Sequence, residues 1–254
     1  MEDVKRKLIE LYQSAEKHGQ YQRIPKVVQE LIGLTLLPTK PRFEEERLQF
    51  ILEHYNPSGK RVLDIGGNIG FFTFEMIFHG ARQVVYYEGS EVCATFVEIL
   101  AELLNLKERI VIHRTYFPFD KPPQERYDFT LLLNVLHHVG EDFGNKGISK
   151  DCAKRKILTY LNALSACTKH LAFQMGFCWK GNRNLLLFQH GTKAEMIEYI
   201  RKGTEKHWRI LSIGIPEKDG EQVVYRPLNE KNIQRDDSLG EFLNRPLFIL
   251  ETKT

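Results

Sequence analysis

Cysteine is scarce in this 254-residue chain, with four residues, and tryptophan scarcer, with two. Cys93, Cys152, Cys167 and Cys178 form no Cys-x-x-Cys pair and have no histidine at zinc-ligand spacing, which excludes a structural zinc module and a dithiol redox centre. Free, mostly buried thiols are expected, and no metal. Long apolar runs are missing too: nothing approaches the roughly 20 residues that a bilayer span needs. The start Met1-Glu2-Asp3-Val4-Lys5-Arg6-Lys7 leads into an amphipathic pattern and not a signal-peptide core, so no membrane span is expected and the cytoplasm is the expected compartment. Internal repeats and low-complexity tracts are absent, which excludes solenoid architectures. Net charge is only +3, yet residues 150–210 carry 12 Lys or Arg against 4 Asp or Glu. That excess suits either an anionic substrate, such as a nucleic acid, a nucleotide sugar or a phosphorylated lipid carrier, or plain solvated helix faces.

What is present is 42% hydrophobic and 27% charged, enough for one large α/β domain with a small appendage. Val4, Leu8, Leu11 and Tyr12 recur at helical spacing, Gly19 breaks the pattern, and Val27, Val28, Leu31 and Ile32 restart it after Pro25. Residues 1–40 therefore read as an N-terminal helical appendage, with Pro38 and Pro41 as a linker, and 41–254 as the main domain. A helix is expected over Phe43–Tyr55, and then strands and helices alternate: strands at 62–65, 83–87, 109–113, 127–134 and 170–176, helices at about 70–79, 91–105, 151–167 and 193–202. Strands separated by helical patterns imply parallel βαβ units. Arg209–Ile215 and Pro246–Glu251 add two late strands, joined by an unusually long connection, 216–244, that contains Gln222-Val223-Val224-Tyr225-Arg226. Long ordered connections are more often functional than idle.

The most informative stretch is Arg61-Val62-Leu63-Asp64-Ile65-Gly66-Gly67-Asn68-Ile69-Gly70, an apolar strand entering a glycine-rich turn that opens a helix. Such a turn brings backbone close to a ligand and aims the helix's amide-rich N-terminus at it. The next strand, Gln83–Tyr87, ends at Glu88, where a carboxylate can accept hydrogen bonds from two ribose hydroxyls. Asp64 ahead of the glycines and the spacing Gly66, Gly67, Gly70 do not fit the Gly-x-Gly-x-x-Gly of dinucleotide sites.

Asp64, Gly66, Asn68 and Gly70 resemble instead the first motif of the class I S-adenosylmethionine-dependent methyltransferases, with Asn68 in place of the middle glycine, a residue that tolerates positive φ. The resemblance covers about residues 60–180 and implies a Rossmann-like, doubly wound, seven-stranded sheet, mostly parallel, in which the two late strands pair antiparallel at one edge. It implies S-adenosylmethionine as cofactor, bound by Asp64, Gly66, Gly67, Asn68, Gly70, Glu88, Gly89, Thr115 and Asn134. Thr115 and Tyr116 follow the third strand where relatives carry an acidic or polar pair, which leaves the base-binding residues unassigned.

Leu133-Asn134-Val135-Leu136-His137-His138-Val139-Gly140-Glu141-Asp142 looks like the fourth motif of small-molecule methyltransferases. Methyl transfer to a hydroxyl needs alignment, exclusion of water and a proton acceptor, and histidine suits the last task. His138 is the expected base, His137 the second choice and Glu141 or Asp142 the carboxylate alternatives; histidines that only brace the loop are the structural counter-reading. The 140–150 loop could act as a lid or a plain surface loop. Trp179, Lys180 and Arg183 bring an aromatic and two cations to the neighbouring rim, suited to a hydroxyl-rich or anionic acceptor. The expectation is O-methylation of a small-molecule or glycan-like acceptor. Two alternatives stand beside it: a tRNA wobble-uridine modifying enzyme performing methyl or carboxymethyl transfer, and a non-catalytic methyltransferase-like subunit.

Overall fold

A computed structural model describes residues 2–15, 22–25, 28–30 and 42–253. Among these residues eight strands form a mixed sheet, β1 Arg61–Ile65, β2 Gln83–Tyr87, β3 Ile110–His113, β4 Tyr127–Leu133, β5 Thr168–Gln174, β6 Trp208–Asp219, β7 Gln222–Pro227 and β8 Leu247–Thr252. Their order is β3-β2-β1-β4-β5-β8-β6-β7. β1 with β2, β2 with β3 and β4 with β5 are parallel, whereas β8 runs antiparallel to both β5 and β6, and β7 antiparallel to β6. The Rossmann-like α/β class is as expected, and the late strands do pair antiparallel, but the sheet has eight strands and not seven. The extra one is β7, inside the long connection. β6 runs on to Asp219, Gly220 turns the chain at φ +64°, and Gln222 pairs straight back to Asp219. A left-handed first turn position is what a two-residue II′ hairpin requires.

The chain divides into two compact units, residues 1–48 with 56–117, and residues 49–55 with 118–254. In the first unit, α1 (Glu2–Ser14) buries Leu8 and Tyr12, and the Tyr12 ring lies 6.3 Å from Phe96 on α4 (Glu91–Leu103). The expected first helix is therefore present. The break at Gly19, the restart at Val27, Leu31 and Ile32, and the linker prolines Pro38 and Pro41 lie outside the described residues; Val28 is helical and buried. Glu44–His54 form α2. Helix α3 (Phe71–Phe78) has Phe71, Phe72, Phe74, Met76 and Ile77 buried, so it is apolar nearly all round, as a helix enclosed by protein must be. Ser90 caps α4 through the Cys93 amide.

In the second unit, β4 and β5 contribute Phe129, Leu131, Leu132, Leu171, Ala172 and Phe173, all fully buried. Such near-continuous apolar strands belong to a parallel sheet covered on both faces. Ser149 caps α5 (Lys150–Ala163), and a Thr192–Glu195 capping box starts α6 (Lys193–Thr204). Tyr55 stacks on Phe129 at 4.1 Å, and the Phe50 ring lies so close to Gly214 that a Cβ there would sit 2.8 Å from it. Cys93, Cys167 and Cys178 are buried and Cys152 partly so, all unpaired, as expected. Burial pushes the Cys93 thiol up to about 12 and the Cys167 thiol to about 11, which leaves both protonated and inert.

Candidate active site

In the first unit, β1 delivers Asp64 and the glycine turn, and its parallel partner β2 delivers Glu88. The turn takes three left-handed steps: Gly66 at φ +69°, Asn68 at +54° and Gly70 at +88°. Asn68 occupies the middle one, as its tolerance of positive φ suggested. Its Oδ1 accepts from the Ile69 amide at 2.7 Å, a local bond that fixes the conformation. The Gly66 and Gly67 amides donate to Tyr87 O at 2.8 and 3.3 Å, and the Gly70 amide closes the turn on Gly67 O at 2.9 Å. Gly67 is required by space: a Cβ would stand 2.6 Å from the Tyr86 ring and 2.8 Å from Asp64 Oδ2. Tyr86 in turn donates its hydroxyl to Asn68 O.

Two carboxyl groups bracket this turn. Asp64 accepts from Thr73 Oγ1 on α3 at 2.6 Å and is 4% exposed. Burial lifts its pKa to about 7, the nearby Glu88 charge adds to the lift, and the Thr73 bond opposes it. Glu88 holds its two oxygens apart, Oε2 accepting from the Asn68 amide at 2.9 Å and Oε1 from the Ser90 amide at 2.7 Å. The two amides fix the orientation of the carboxylate. Gly89 stands where any side chain would run into the ring of Tyr116, which is 47% exposed; Thr115 beside it is exposed. Gln22, from the N-terminal segment, accepts from the Phe71 amide at the start of α3 at 3.0 Å.

In the second unit the sites gather where β4 and β5 end. Asn134 turns the chain at φ +64°, and Leu136–His138 form one 3-10 turn. His137 is buried, and its Nδ1 accepts from the Gly176 amide at 3.2 Å, which puts its proton on Nε2. Burial, helped by His138 and Arg245, pushes its pKa well below the usual imidazole range, so it is neutral. His138 is half-buried, with Nδ1 2.9 Å from Glu141 Oε2 and 3.7 Å from Asp142 Oδ2. A carboxylate on Nδ1–H fixes the tautomer in which Nε2 carries the lone pair. The structure thus joins three of the expected residues, His138, Glu141 and Asp142, and among the described residues this is the cluster whose His and carboxylate atoms could hold a cation.

The other expected residues are placed differently. Asn134 gives both ends of its amide to neighbours in the protein, Oδ1 accepting from Arg245 at 2.8 Å and Nδ2 donating to Gln174 at 3.1 Å. Trp179 is 7% exposed and donates its indole N–H to Val139 O at 2.7 Å, so it packs under the His138 loop. Lys180 turns at φ +56° with its ammonium 4.4 Å over the Trp179 ring, and Arg183 is exposed. Glu241, Arg245 and Gln174, which complete the polar rim, were not foreseen; Arg245 lies 111 positions from Asn134.

Residues 39–145 match a family model described as a methyltransferase domain. The tRNA U34 carboxymethyltransferase of Pseudomonas fluorescens is 29% identical over 104 residues, which are 40% of this chain and 32% of that protein. The match thus spans about a third of the curated relative's length. Among solved structures, the N-methyltransferase NodS from Bradyrhizobium japonicum, crystallised with S-adenosyl-L-homocysteine, aligns over 96% of this chain and 99% of its own, with a TM-score of 0.53 and 11% identity. The bifunctional kinase-methyltransferase WbdD aligns over 96% of this chain and 46% of its own, with a TM-score of 0.57 and 16% identity. At such identities the structural likeness concerns the fold.

Proposed function

We propose, for a chain whose residues 39–145 belong to the methyltransferase domain family, that it transfers a methyl group from S-adenosylmethionine to a hydroxyl of a small or carbohydrate-like acceptor. In this reading residues 1–40 are an appendage, 41–254 the methyltransferase domain, and the compartment the cytoplasm, in keeping with four free thiols. Among the described residues no helix is long and apolar enough to cross a membrane.

The turn's backbone, Gly66, Gly67, Asn68 and Gly70, and the Glu88 carboxylate oriented by two amides support placing the cofactor in the first unit. Gly66, Gly67, Asn68 and Gly70 would cradle it, Glu88 would take the ribose hydroxyls, and Gly89 and Thr115 would border the base. When bound, S-adenosylmethionine supplies an electrophilic methyl on a sulfonium. The single observation that carries the hydroxyl acceptor is the His138–Glu141 pair. Glu141 holds Nδ1–H, Nε2 accepts the acceptor's proton as the new bond forms, and the carboxylate steadies the resulting cation. Trp179 braces the loop through Val139 O, while Lys180 and Arg183 would meet anionic or hydroxyl-rich groups.

A tRNA acceptor is the second reading, favoured by the match to the carboxymethyltransferase. Against it, half of the basic residues between 150 and 210 are engaged within the protein. Lys156 pairs with Asp120, Arg201 and Lys202 with Glu198, and Arg209 with Glu251; Lys154 lies over Phe188 and Tyr199; Lys193 is buried on two carbonyls. The test is transfer from methyl-labelled cofactor to separated glycan, small-metabolite, lipid and tRNA fractions. Label in a low-mass or glycan fraction is the expected result. Label in tRNA, with affinity falling steeply as salt releases counterions, would replace it.

A further inference from the structure

The connection between β7 and β8 does more than join two strands. Asn244, fully buried, accepts from the Asp236 amide at 3.0 Å and donates to Asp236 O and Gly240 O at 2.7 and 2.8 Å. Lys193 of α6 donates to Asn232 O and Gln234 O at 2.9 and 2.8 Å. The segment is therefore pinned at several points, and what it delivers is Arg245. That side chain is only 12% exposed, its Nε lies 3.1 Å from both Glu241 oxygens and its Nη2 2.5 Å from one of them. Nη1 donates to Asn134 Oδ1, and the Arg245 carbonyl accepts from Gln174 Nε2 at 3.1 Å. Glu241 also accepts from the Phe177 amide at 3.2 Å. Arg245 thus ties three places together: the end of β4 and Glu241 of its own segment through its guanidinium, and the end of β5 through its backbone carbonyl. His137 packs at the same point: a Cβ on Gly176 would be 2.9 Å from its ring and 3.0 Å from Arg245 Nη2.

Resting on the transfer reading above, we infer that Arg245 is a positioning residue for the reaction: anchored by Glu241, it holds Asn134 and so sets the His137–His138 turn on which the proton acceptor rides. A planar fork with five donors suits this task because it fixes direction as well as distance, which a lysine cannot reproduce. His137 reports on the arrangement. The ionisable groups around it are His138 on its own turn and Arg245, with Glu241 and Cys178 grouped about that guanidinium.

The test compares full-length wild type with Arg245→Met, Arg245→Lys and Glu241→Gln. Long-range proton–nitrogen NMR of the histidines should show wild-type His137 as the neutral Nε2–H tautomer throughout pH 5.5–8. In Arg245→Met the tie to Asn134 is lost, so the turn should shift, the His137 Nδ1–Gly176 bond should loosen and the single tautomer should be lost. Calorimetry with S-adenosylhomocysteine should give the same affinity for every variant. With the acceptor fraction identified above, kcat should fall about 100-fold, the scale that a displacement of about 1 Å produces, with KM for S-adenosylmethionine unchanged and little rescue by lysine. An Arg245→Met protein that keeps both the His137 signature and wild-type kcat overturns the inference. Should that variant fail to fold, Glu241→Gln carries the decision: it keeps an acceptor oxygen and the shape, is expected to lower kcat while leaving His137 neutral, and refutes the inference if kcat is unchanged. Wild type that binds S-adenosylhomocysteine but labels no fraction defeats the transfer reading instead, and the NMR comparison still decides whether Arg245 sets the turn.

Discussion

Replacing Asp64 with asparagine isolates the energetics of the glycine turn. Asp64 is buried, with a folded pKa of about 7 against 3.8 for the free side chain, chiefly because burial penalises the charge. The folded chain therefore keeps a proton that the unfolded chain releases, and stability is lost as pH rises from near 3.8 through 7. At about 1.36 kcal/mol per pK unit the whole difference is about 4 kcal/mol, of which about 3 kcal/mol falls between pH 5 and 9. Asparagine carries no charge at any of these pH values and can still accept from Thr73. The stability of Asp64→Asn relative to wild type should thus shift by about 3 kcal/mol in the variant's favour from pH 5 to pH 9. Urea unfolding of both proteins at pH 5, 7 and 9 measures it, since groups common to the two cancel in the difference. A gap that stays constant with pH, or moves against the variant as pH rises, would mean that Asp64 is ionised in the fold and that the argument from burial is wrong.

Three further outcomes follow from the same geometry. Glu88→Gln should weaken S-adenosylhomocysteine binding about tenfold or more by calorimetry, since a charge-assisted hydrogen bond is worth about 1.5–3 kcal/mol. His138→Ala should lower turnover about 100- to 10,000-fold and keep cofactor affinity; His137→Ala is the control, and full turnover in His138→Ala would give the histidine a structural role. Lys193→Met should destabilise the chain by about 1–3 kcal/mol in urea, because Asn232 O and Gln234 O lose their buried donor, with proteolysis quickening in the 228–244 connection.

The glycine turn and its acid were legible because their chemistry is local. Positive φ at 66, 68 and 70 restricts those positions to glycine or asparagine, and the acid ending the next strand follows from parallel pairing, which aligns Ile65 with Tyr87 and sets Glu88 just beyond. The His138–Glu141 pair was equally near in sequence, three residues apart on one turn. What escaped was direction and distance. Trp179 shows its residue type in the sequence but not that its indole turns inward to Val139 O. Arg245 meets Asn134 only through the packing of β8 beside β5, and no periodicity near either residue marks the partner. β7 is hidden because its short apolar run, Val223 to Tyr225, becomes a strand only by pairing back onto the extension of β6 beyond Ile215.

The position of β8 bears on how this protein is made. Strand β8 comes after the other seven strands of this sheet in chain order, yet it is not an edge: it lies between β5 and β6, paired to both. While the ribosome is still translating, β5 has an open flank, and the β6–β7 hairpin has no place in the sheet, because the strand that joins them does not yet exist. Apolar residues such as Phe173 on β5 and Ile213 on β6 must wait for Phe248 and Ile249. Open strand flanks are where nascent chains associate with one another. The half-made chain should therefore depend on chaperones until residues 247–252 emerge, and a stall between β6 and β8 should leave an aggregation-prone product, whereas a stall beyond β8 should not.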